Sequence, residues 1–185
     1  LILGSFSMYN GAPRNGLARL KGNSNGLDSS FLVGSGFSGG TGPTEMVLQP
    51  DGKLIVVGSF THYNGIPAKG VVRILPTGMI DNTFSVGSGS SLVTSVELLP
   101  SGQILVAGNF PNFAGINRGL VARLTSDGTV DLSFDAGFGG LPTGSVKDIA
   151  VQSDEKVLVA GQFPSTFNSN SLALASVSSP AVVIR

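Results

Sequence analysis

Few side chains in this sequence can do acid, base or nucleophilic chemistry. His62 is the only histidine among the 185 residues, and the chain has no cysteine. A serine or cysteine nucleophile needs a neighbouring base, and zinc sites need several histidines or thiolates. We therefore expect no catalytic residue, no bound metal and no cofactor, and we interpret His62 as a surface-loop residue.

Two motifs of catalytic or nucleotide-binding proteins occur in surroundings that do not suit them. Residues 34–39 match G-x-G-x-x-G, and residues 36–40 match G-x-S-x-G. Both motifs need a helix directly after them. Here Pro43 and a strand-like run follow, and a second Gly-Ser-Gly recurs at residues 87–89. We interpret these glycines as linkers between repeated units.

Acidic residues allow two alternatives. A lyase or glycosidase would use paired carboxylates, but we expect Glu45 and Glu97 to occupy equivalent positions on strand surfaces. Asp127 and Asp131 could belong to a calcium loop, which needs several carboxylates at alternating positions. Turn chemistry explains both of these aspartates.

Arginine and aspartate recur eight or nine residues apart in each of the first three units. Arg73 and Asp81 stand four residues before and after Thr77, the centre of a predicted hairpin, so they should lie opposite each other on antiparallel strands. The same residue types recur at similar spacing in the other units: Arg19 with Asp28, and Arg123 with Asp131. We expect one structural ion pair in each unit. A ring of ligand-binding charges is the alternative.

An aromatic residue recurs in one loop of each unit: Tyr9, Tyr63 and Phe113. Together with His62, these residues could form a rim that binds a glycan or a protein. The alternative is that the aromatic rings close the loop over the edge of the unit.

The elements that must position these residues are short strands in an internal repeat. The strings GSF, GSF, GNF and GQF begin at Gly4, Gly58, Gly108 and Gly161, at intervals of 50–54 residues. Each follows an apolar run, and turn pairs such as Asp51-Gly52 separate the runs. No stretch keeps a helical period. This pattern predicts a four-stranded antiparallel meander in each unit.

Units of this length and content are typical of β-propeller blades. The predicted fold is all-β, a propeller-like array of about 3.5 four-stranded blades. We expect a single repeat domain over residues 1–185. Its parts are a blade part at 1–43, blades at 44–92 and 93–145, and a partial blade with a C-terminal cap at 146–185, with strands at 172–177 and 181–184.

The repeat resembles a known family in the order Q-x-D-G-K, apolar run, G-x-F, N-G, Arg, Gly and D-x-x-F. The matching residues of the second unit are Gln49, Asp51, Gly52, Lys53, Gly58, Phe60, Asn64, Gly65, Arg73, Gly78, Asp81 and Phe84. This order resembles the delta-60 repeat, a bacterial β-propeller-like family. The resemblance implies a part of a large surface, secreted or phage-associated protein. One departure is Asp154-Glu155, where the pattern has Asp-Gly.

The net charge and the length of the apolar runs argue against two classes of function. The net charge is zero, which argues against a general nucleic-acid binder, and no apolar run reaches the length of a membrane span.

Residue 1 is Leu, and the string LILGSF resembles the middle of a repeated unit. We therefore expect a fragment or a processed chain, upstream of which a signal peptide could have stood.

The expected function follows from the incomplete array. Closed propellers usually have four to eight blades, so we expect other copies of the chain, or the rest of a longer chain, to complete the array. The expected protein is not an enzyme but a structural or adhesive module of an extracellular, cell-surface or virion assembly. The alternative is a glycan- or protein-binding propeller that uses the aromatic rim.

Overall fold

A computed structural model describes residues 1–22, 24–90, 92–137 and 144–162, and the backbone of the strands at 172–176 and 180–184. These residues form strands and turns, which confirms the predicted all-β class. None of them belongs to a helix with the length and apolar character that crossing a membrane requires. The sheets recur at the interval of the sequence repeat, and we number them as blades 1 to 4.

Blade 1 begins with the strand that holds the central place in the later blades. This strand pairs with one neighbour, and a single bridge between Leu20 and Leu27 closes the outer edge. A small hairpin lies in the loop between the two strands. The strands are β1 at Ile2–Leu3, β2 at Met8–Tyr9, β3 at Ala12–Pro13 and β4 at Leu17–Ala18.

Blade 2 shows the complete pattern. An inner strand, a central strand and a third strand pair in antiparallel order, and the predicted fourth strand is reduced to a bridge between Ile74 and Ile80. A linker strand pairs with the small loop hairpin. The strands are β5 at Phe37–Ser38, β6 at Gly42–Leu48, β7 at Leu54–Ser59, β8 at His62–Tyr63, β9 at Ile66–Pro67 and β10 at Val71–Ile74.

Blades 3 and 4 repeat this order with one difference. Blade 3 is the meander β11–β12–β13 with an outer bridge between Leu124 and Val130. In blade 4 the order is β14–β15–β17–β16, so the last strand of the chain lies beside the central strand. The bounds are β11 at Val93–Leu98, β12 at Ile104–Gly108, β13 at Val121–Leu124, β14 at Ser145–Val151, β15 at Val157–Gln162, β16 at Leu172–Ser176 and β17 at Pro180–Ile184.

Part of the predicted repeat pattern lies outside the described residues. This holds for residues 163–171, 177–179 and 185 of the predicted cap, for Phe163 of the last G-x-F string, and for Gly139 of the third linker.

In three of the four G-x-F strings, the glycine allows a close approach between strands. The inner strands β6, β11 and β14 each carry a bulge near their start, where the ladder shifts register. There a Cβ on Gly58 would lie 2.5 Å from the carbonyl oxygen of Gly42, inside van der Waals contact. Gly108 and Gly161 face the carbonyl groups of Leu92 and Ser145 in the same way. The most regular motif of the sequence is therefore a packing requirement.

Apolar side chains pack between neighbouring blades. In β7, Leu54 and Val56 belong to the cluster that includes Leu17 of blade 1, whereas Ile55 and Val57 join the cluster that contains Val93 of blade 3. A third cluster joins blades 3 and 4. Since both faces of the central strand are buried from Leu54 to Gly58, none of these five residues has a polar side chain.

Candidate functional site

The ion pair of blade 2 is buried and fully bonded. Nε of Arg73, on β10, donates to Oδ2 of Asp81 at 2.8 Å, and the two side chains are 8% and 5% exposed. Oδ1 of Asp81 accepts bonds from the main-chain N–H and the hydroxyl of Thr83. The guanidinium lies 4.8 Å from the ring centre of Phe84, a cation–π distance.

This environment keeps Asp81 ionised. Burial raises the pKa of Asp81, but the two hydrogen bonds from Thr83 and the charge of Arg73 outweigh burial, so the pKa lies below its ordinary value. The carboxylate is therefore a fixed acceptor at neutral pH and has no oxygen left over for proton transfer.

The same arrangement recurs in blades 1 and 3. The closest N–O distance is 2.8 Å in both pairs, with Ser30 and Ser133 in the place of Thr83 and with the rings of Phe31 and Phe134 under the arginines: Arg19 with Asp28, and Arg123 with Asp131. The structure thus brings the six predicted residues together as three pairs. Each pair lies in its own blade, so the charges do not converge on one pocket.

The third nitrogen of two of these arginines crosses to the next blade. We call residues 75–79 and 125–129 the outer turns of blades 2 and 3. Nη1 of Arg19 donates to the carbonyl oxygen of Pro76 at 2.7 Å, in the outer turn of blade 2. Nη1 of Arg73 makes the corresponding bond to Ser126 at 2.6 Å. This contact is not predictable from the sequence, because the spacing within one unit carries no signal of it.

A main-chain bond accompanies each crossing arginine. The N–H of Leu32 donates to the carbonyl oxygen of Thr77 at 2.7 Å, and the N–H of Ser85 donates to that of Asp127 at 3.0 Å. Each outer turn is thus held at two successive carbonyl groups by the preceding blade.

The inner ends of the blades are also joined by side chains. Oγ1 of Thr44 donates to the carbonyl oxygen of Val93 at 3.2 Å, and Thr94 makes the same bond to Val146 at 2.6 Å. Next to each threonine, a second side chain accepts a main-chain N–H of the following blade. These acceptors are Oε2 of Glu45, from Val96 at 2.7 Å, and Oγ of Ser95, from Ile149 at 3.3 Å.

The predicted equivalence of Glu45 and Glu97 is wrong. Glu45 lies opposite Val57 in the ladder, whereas Glu97 lies opposite Leu105, two positions further along the strand. Ser95 holds the place of Glu45 in blade 3. Burial raises the pKa of Glu97, and the charges of Glu45 and Asp148 raise it further.

Asp127, one of the two aspartates of the possible calcium loop, is hydrogen-bonded within its own turn. Oδ1 of Asp127 accepts the hydroxyl of Thr125 and the N–H of Thr129, and these bonds lower the pKa of Asp127 to about 2. Asp131 is held by Arg123 and Ser133. Within the described ranges, no three histidine, aspartate or glutamate side chains are arranged to hold a metal ion.

The aromatic rim interpretation is wrong for two of its members. Tyr63 and Phe113 are fully buried, because Tyr63 packs against Phe37 and Phe113 packs against Phe110. The hydroxyl of Tyr63 donates to the carbonyl oxygen of Gly78 at 2.6 Å, and burial raises the pKa of this phenol. Tyr9 and His62 are half-buried and bond to Asn25 and Thr61.

The glycine motif at residues 34–39 does not precede a helix. It runs into the short strand β5 and joins blade 1 to blade 2, as the linker interpretation predicts.

One comparison with known proteins gives a match. A family model described as a domain of unknown function (DUF5122), a β-propeller, matches residues 1–31, 49–84 and 99–134. These segments make up more than half of the chain and contain all three Arg–Asp pairs. No curated protein and no solved structure matches the chain.

Proposed function

We propose, from the premise that the chain belongs to the DUF5122 β-propeller family, that it is a non-catalytic structural or adhesive module of a larger assembly. The observation that carries this proposal is the use of the repeated charges. Arg19 and Arg73 each hold their own aspartate and the outer turn of the next blade. The repeated polar residues therefore join blades, as a scaffold requires.

The place of action is part of the same proposal. We assign the assembly to the cell exterior, a cell surface or a virion. Three features of the sequence support this: the delta-60 resemblance, the absence of cysteine and the low share of charged residues, 12%. Membership of the delta-60 family itself is likewise a proposal, supported by the Q-x-D-G-K and D-x-x-F strings.

The mass of the undigested native particle tests the scaffold function. Multi-angle light scattering should give a defined multimer, or a particle much larger than the 18.8 kDa chain. A monodisperse particle of monomer mass would contradict the proposal.

Surface digestion tests the location. Brief protease treatment of intact cells or virions from the natural source should remove the protein, while a cytoplasmic control protein stays intact. Full protection of the protein, with cleavage after lysis, would contradict an exterior location.

A further inference from the structure

The third Arg–Asp pair borders a cavity. Nε of Arg123 binds Asp131 at 2.9 Å and Nη2 binds Ser133 at 3.3 Å, as in the two earlier blades. Nη1 makes no hydrogen bond to any described residue. Beside it lies a cavity of about 190 Å³, lined by Gln103, Phe134 and Glu155 among others. We call it the Arg123 cavity.

A main-chain donor directly follows Phe134 of the cavity lining. Asp135 follows Phe134, as Ser85 follows Phe84 and Leu32 follows Phe31. The N–H groups of Leu32 and Ser85 each bind an outer turn, whereas that of Asp135 binds no residue within the described ranges. Arg123 and Asp135 thus repeat a pair of donors that holds a turn in both earlier blades.

Solvent exposure agrees with a place at the third interface that no described residue fills. Phe31 and Phe84 are 2% and 8% exposed, and the ring of Phe84 lies against Gly128 of an outer turn. Phe134 is only half-buried. In blade 4, β17 takes the position of the third strand. Its residue Ile184 lies opposite Val157 of the central strand, as Ile74 lies opposite Leu54 in blade 2. No described residue of blade 4 forms an outer turn.

The two filled interfaces define the chemistry of the missing occupant. Each occupant presents two successive carbonyl groups and then a glycine. A Cβ on Gly78 would lie 2.6 Å from the nitrogen of Leu32, and one on Gly128 would lie 2.9 Å from the oxygen of Ser85. A side chain at that place would therefore clash with the preceding blade.

Charge favours neutral carbonyl groups over a free anion. Arg123 is already paired with Asp131, and Asp135 is paired with Arg118, while Glu155 adds a further carboxylate to the lining of the cavity. A small anion would meet more negative than positive charge, whereas a peptide carbonyl supplies the acceptor without a net charge.

We propose that the Arg123 cavity is a binding site for a glycine-containing β-turn from polypeptide outside residues 1–185. Nη1 of Arg123 and the N–H of Asp135 hold its two carbonyl groups, and its glycine lies against Asp135. This site stands independently of the scaffold function, because it rests on the filled interfaces alone.

A peptide titration tests the site. The probe is a peptide with the sequence of residues 124–130, Leu-Thr-Ser-Asp-Gly-Thr-Val, with one cysteine added at each end and oxidised to a cyclising disulfide. In the ¹⁵N-labelled protein, we expect shifts at the Arg123 side chain and the Asp135 amide. Signals of Arg73 and Ser85 should stay in place, since their partners are already bound. A peptide with valine for the glycine should not bind.

Two variants complete the test. Arg123→Gln should weaken peptide binding about tenfold or more, because a charged hydrogen bond is lost. Arg19→Gln alters an equivalent pair whose turn is filled and should leave the affinity unchanged. If Arg123→Gln does not fold, the shifts in the wild-type protein and the valine peptide still decide.

The source of the natural turn is found by cross-linking. A photoreactive residue in place of Glu155, in the undigested native protein, should capture a peptide with a glycine turn, and its sequence assigns it to the same chain or to another. Capture of any segment within residues 1–185 of the same chain would overturn the proposal. The proposal would also be overturned if the Arg123 side chain of the free protein were as protected from hydrogen exchange as that of Arg73. The same holds if Arg123→Gln left the affinity for the peptide unchanged.

Discussion

Nη1 of Arg73 donates a 2.6 Å hydrogen bond to the carbonyl oxygen of Ser126, in the outer turn of the following blade. The same guanidinium holds Asp81 in its own blade. One side chain therefore stabilises a hairpin and an interface between two hairpins. Its removal should cost more than the loss of an ordinary surface ion pair.

Arg73→Ala should lower the free energy of unfolding by about 3–5 kcal/mol, because Asp81 would stay buried without its partner. Arg19→Ala should cost clearly less, since Arg19 and Asp28 are 29% and 26% exposed and solvent screens the pair. Urea unfolding of both variants measures the difference. Equal losses would mean that burial of the pair has no energetic consequence.

Glu97→Gln should stabilise the protein at neutral pH. The folded state raises the pKa of Glu97, so folding favours the protonated form. The stabilisation that Glu97 gives is complete below its ordinary pKa and is lost as the pH rises through the raised value. Unfolding curves at several pH values should show the gain at pH 7 and no gain at the acid end.

Glu45→Gln is the matched control for this pH dependence. Glu45 accepts the N–H of Val96, so its replacement weakens a bond between blades while it removes the same charge. A gain in stability like that of Glu97→Gln would show that charge alone matters at this place.

Glu155→Gly should stabilise blade 4. Glu155 has a φ of 62°, and the matching residues of blades 2 and 3 are Gly52 and Gly102, with φ of 82° and 84°. A residue with a Cβ loses roughly 1 kcal/mol in this left-handed region. Thermal unfolding should show a higher midpoint for Glu155→Gly, and Gly102→Glu should lower it. No change in either variant would contradict the strain.

Ala114→Asn should stabilise the loop of blade 3. Ala114 has a φ of 52°, whereas blades 1 and 2 have Asn10 and Asn64 there, at 46° and 50°. Asparagine tolerates this conformation better than alanine does. In addition, Oδ1 of Asn64 accepts the N–H of Ser35 in the blade linker at 3.1 Å.

We expect a gain of about 1 kcal/mol for Ala114→Asn from conformation and one hydrogen bond. Urea unfolding measures it, with Asn64→Ala as the reverse change in blade 2. If Asn64→Ala is neutral, the asparagine has no structural role in this loop.

The sequence predicts what depends on one unit alone. The strands follow from apolar runs between glycine turns, and the meeting of Arg73 with Asp81 follows from equal spacing about Thr77. Relations between units are not readable in this way. The bond from Arg73 to Ser126 depends on how blades stack, and the burial of Tyr63 depends on its packing against Phe37 in the linker between blades 1 and 2.

The wrong prediction that Glu45 and Glu97 are equivalent has a similar origin. Glu45 and Glu97 look alike in sequence, but the ladder places them two positions apart. Alternate residues of a strand share a face. A shift of two positions therefore keeps Glu45 and Glu97 on the same face of their strands but gives them different neighbours. Glu45 binds a main-chain N–H of the next blade, and Glu97 is left near two other carboxylates.

The double fastening of the interface between blades 2 and 3 has a mechanical consequence. A bond from Thr44 at the inner end and a bond from Arg73 at the outer end leave no single line about which these two blades could hinge. Force applied to the two ends of the chain should therefore release the outer blades, 1 and 4, before blades 2 and 3 separate. Each release of a repeat of some 50 residues should add roughly 170 Å of contour length. Such a chain would act as a stepwise extensible tether.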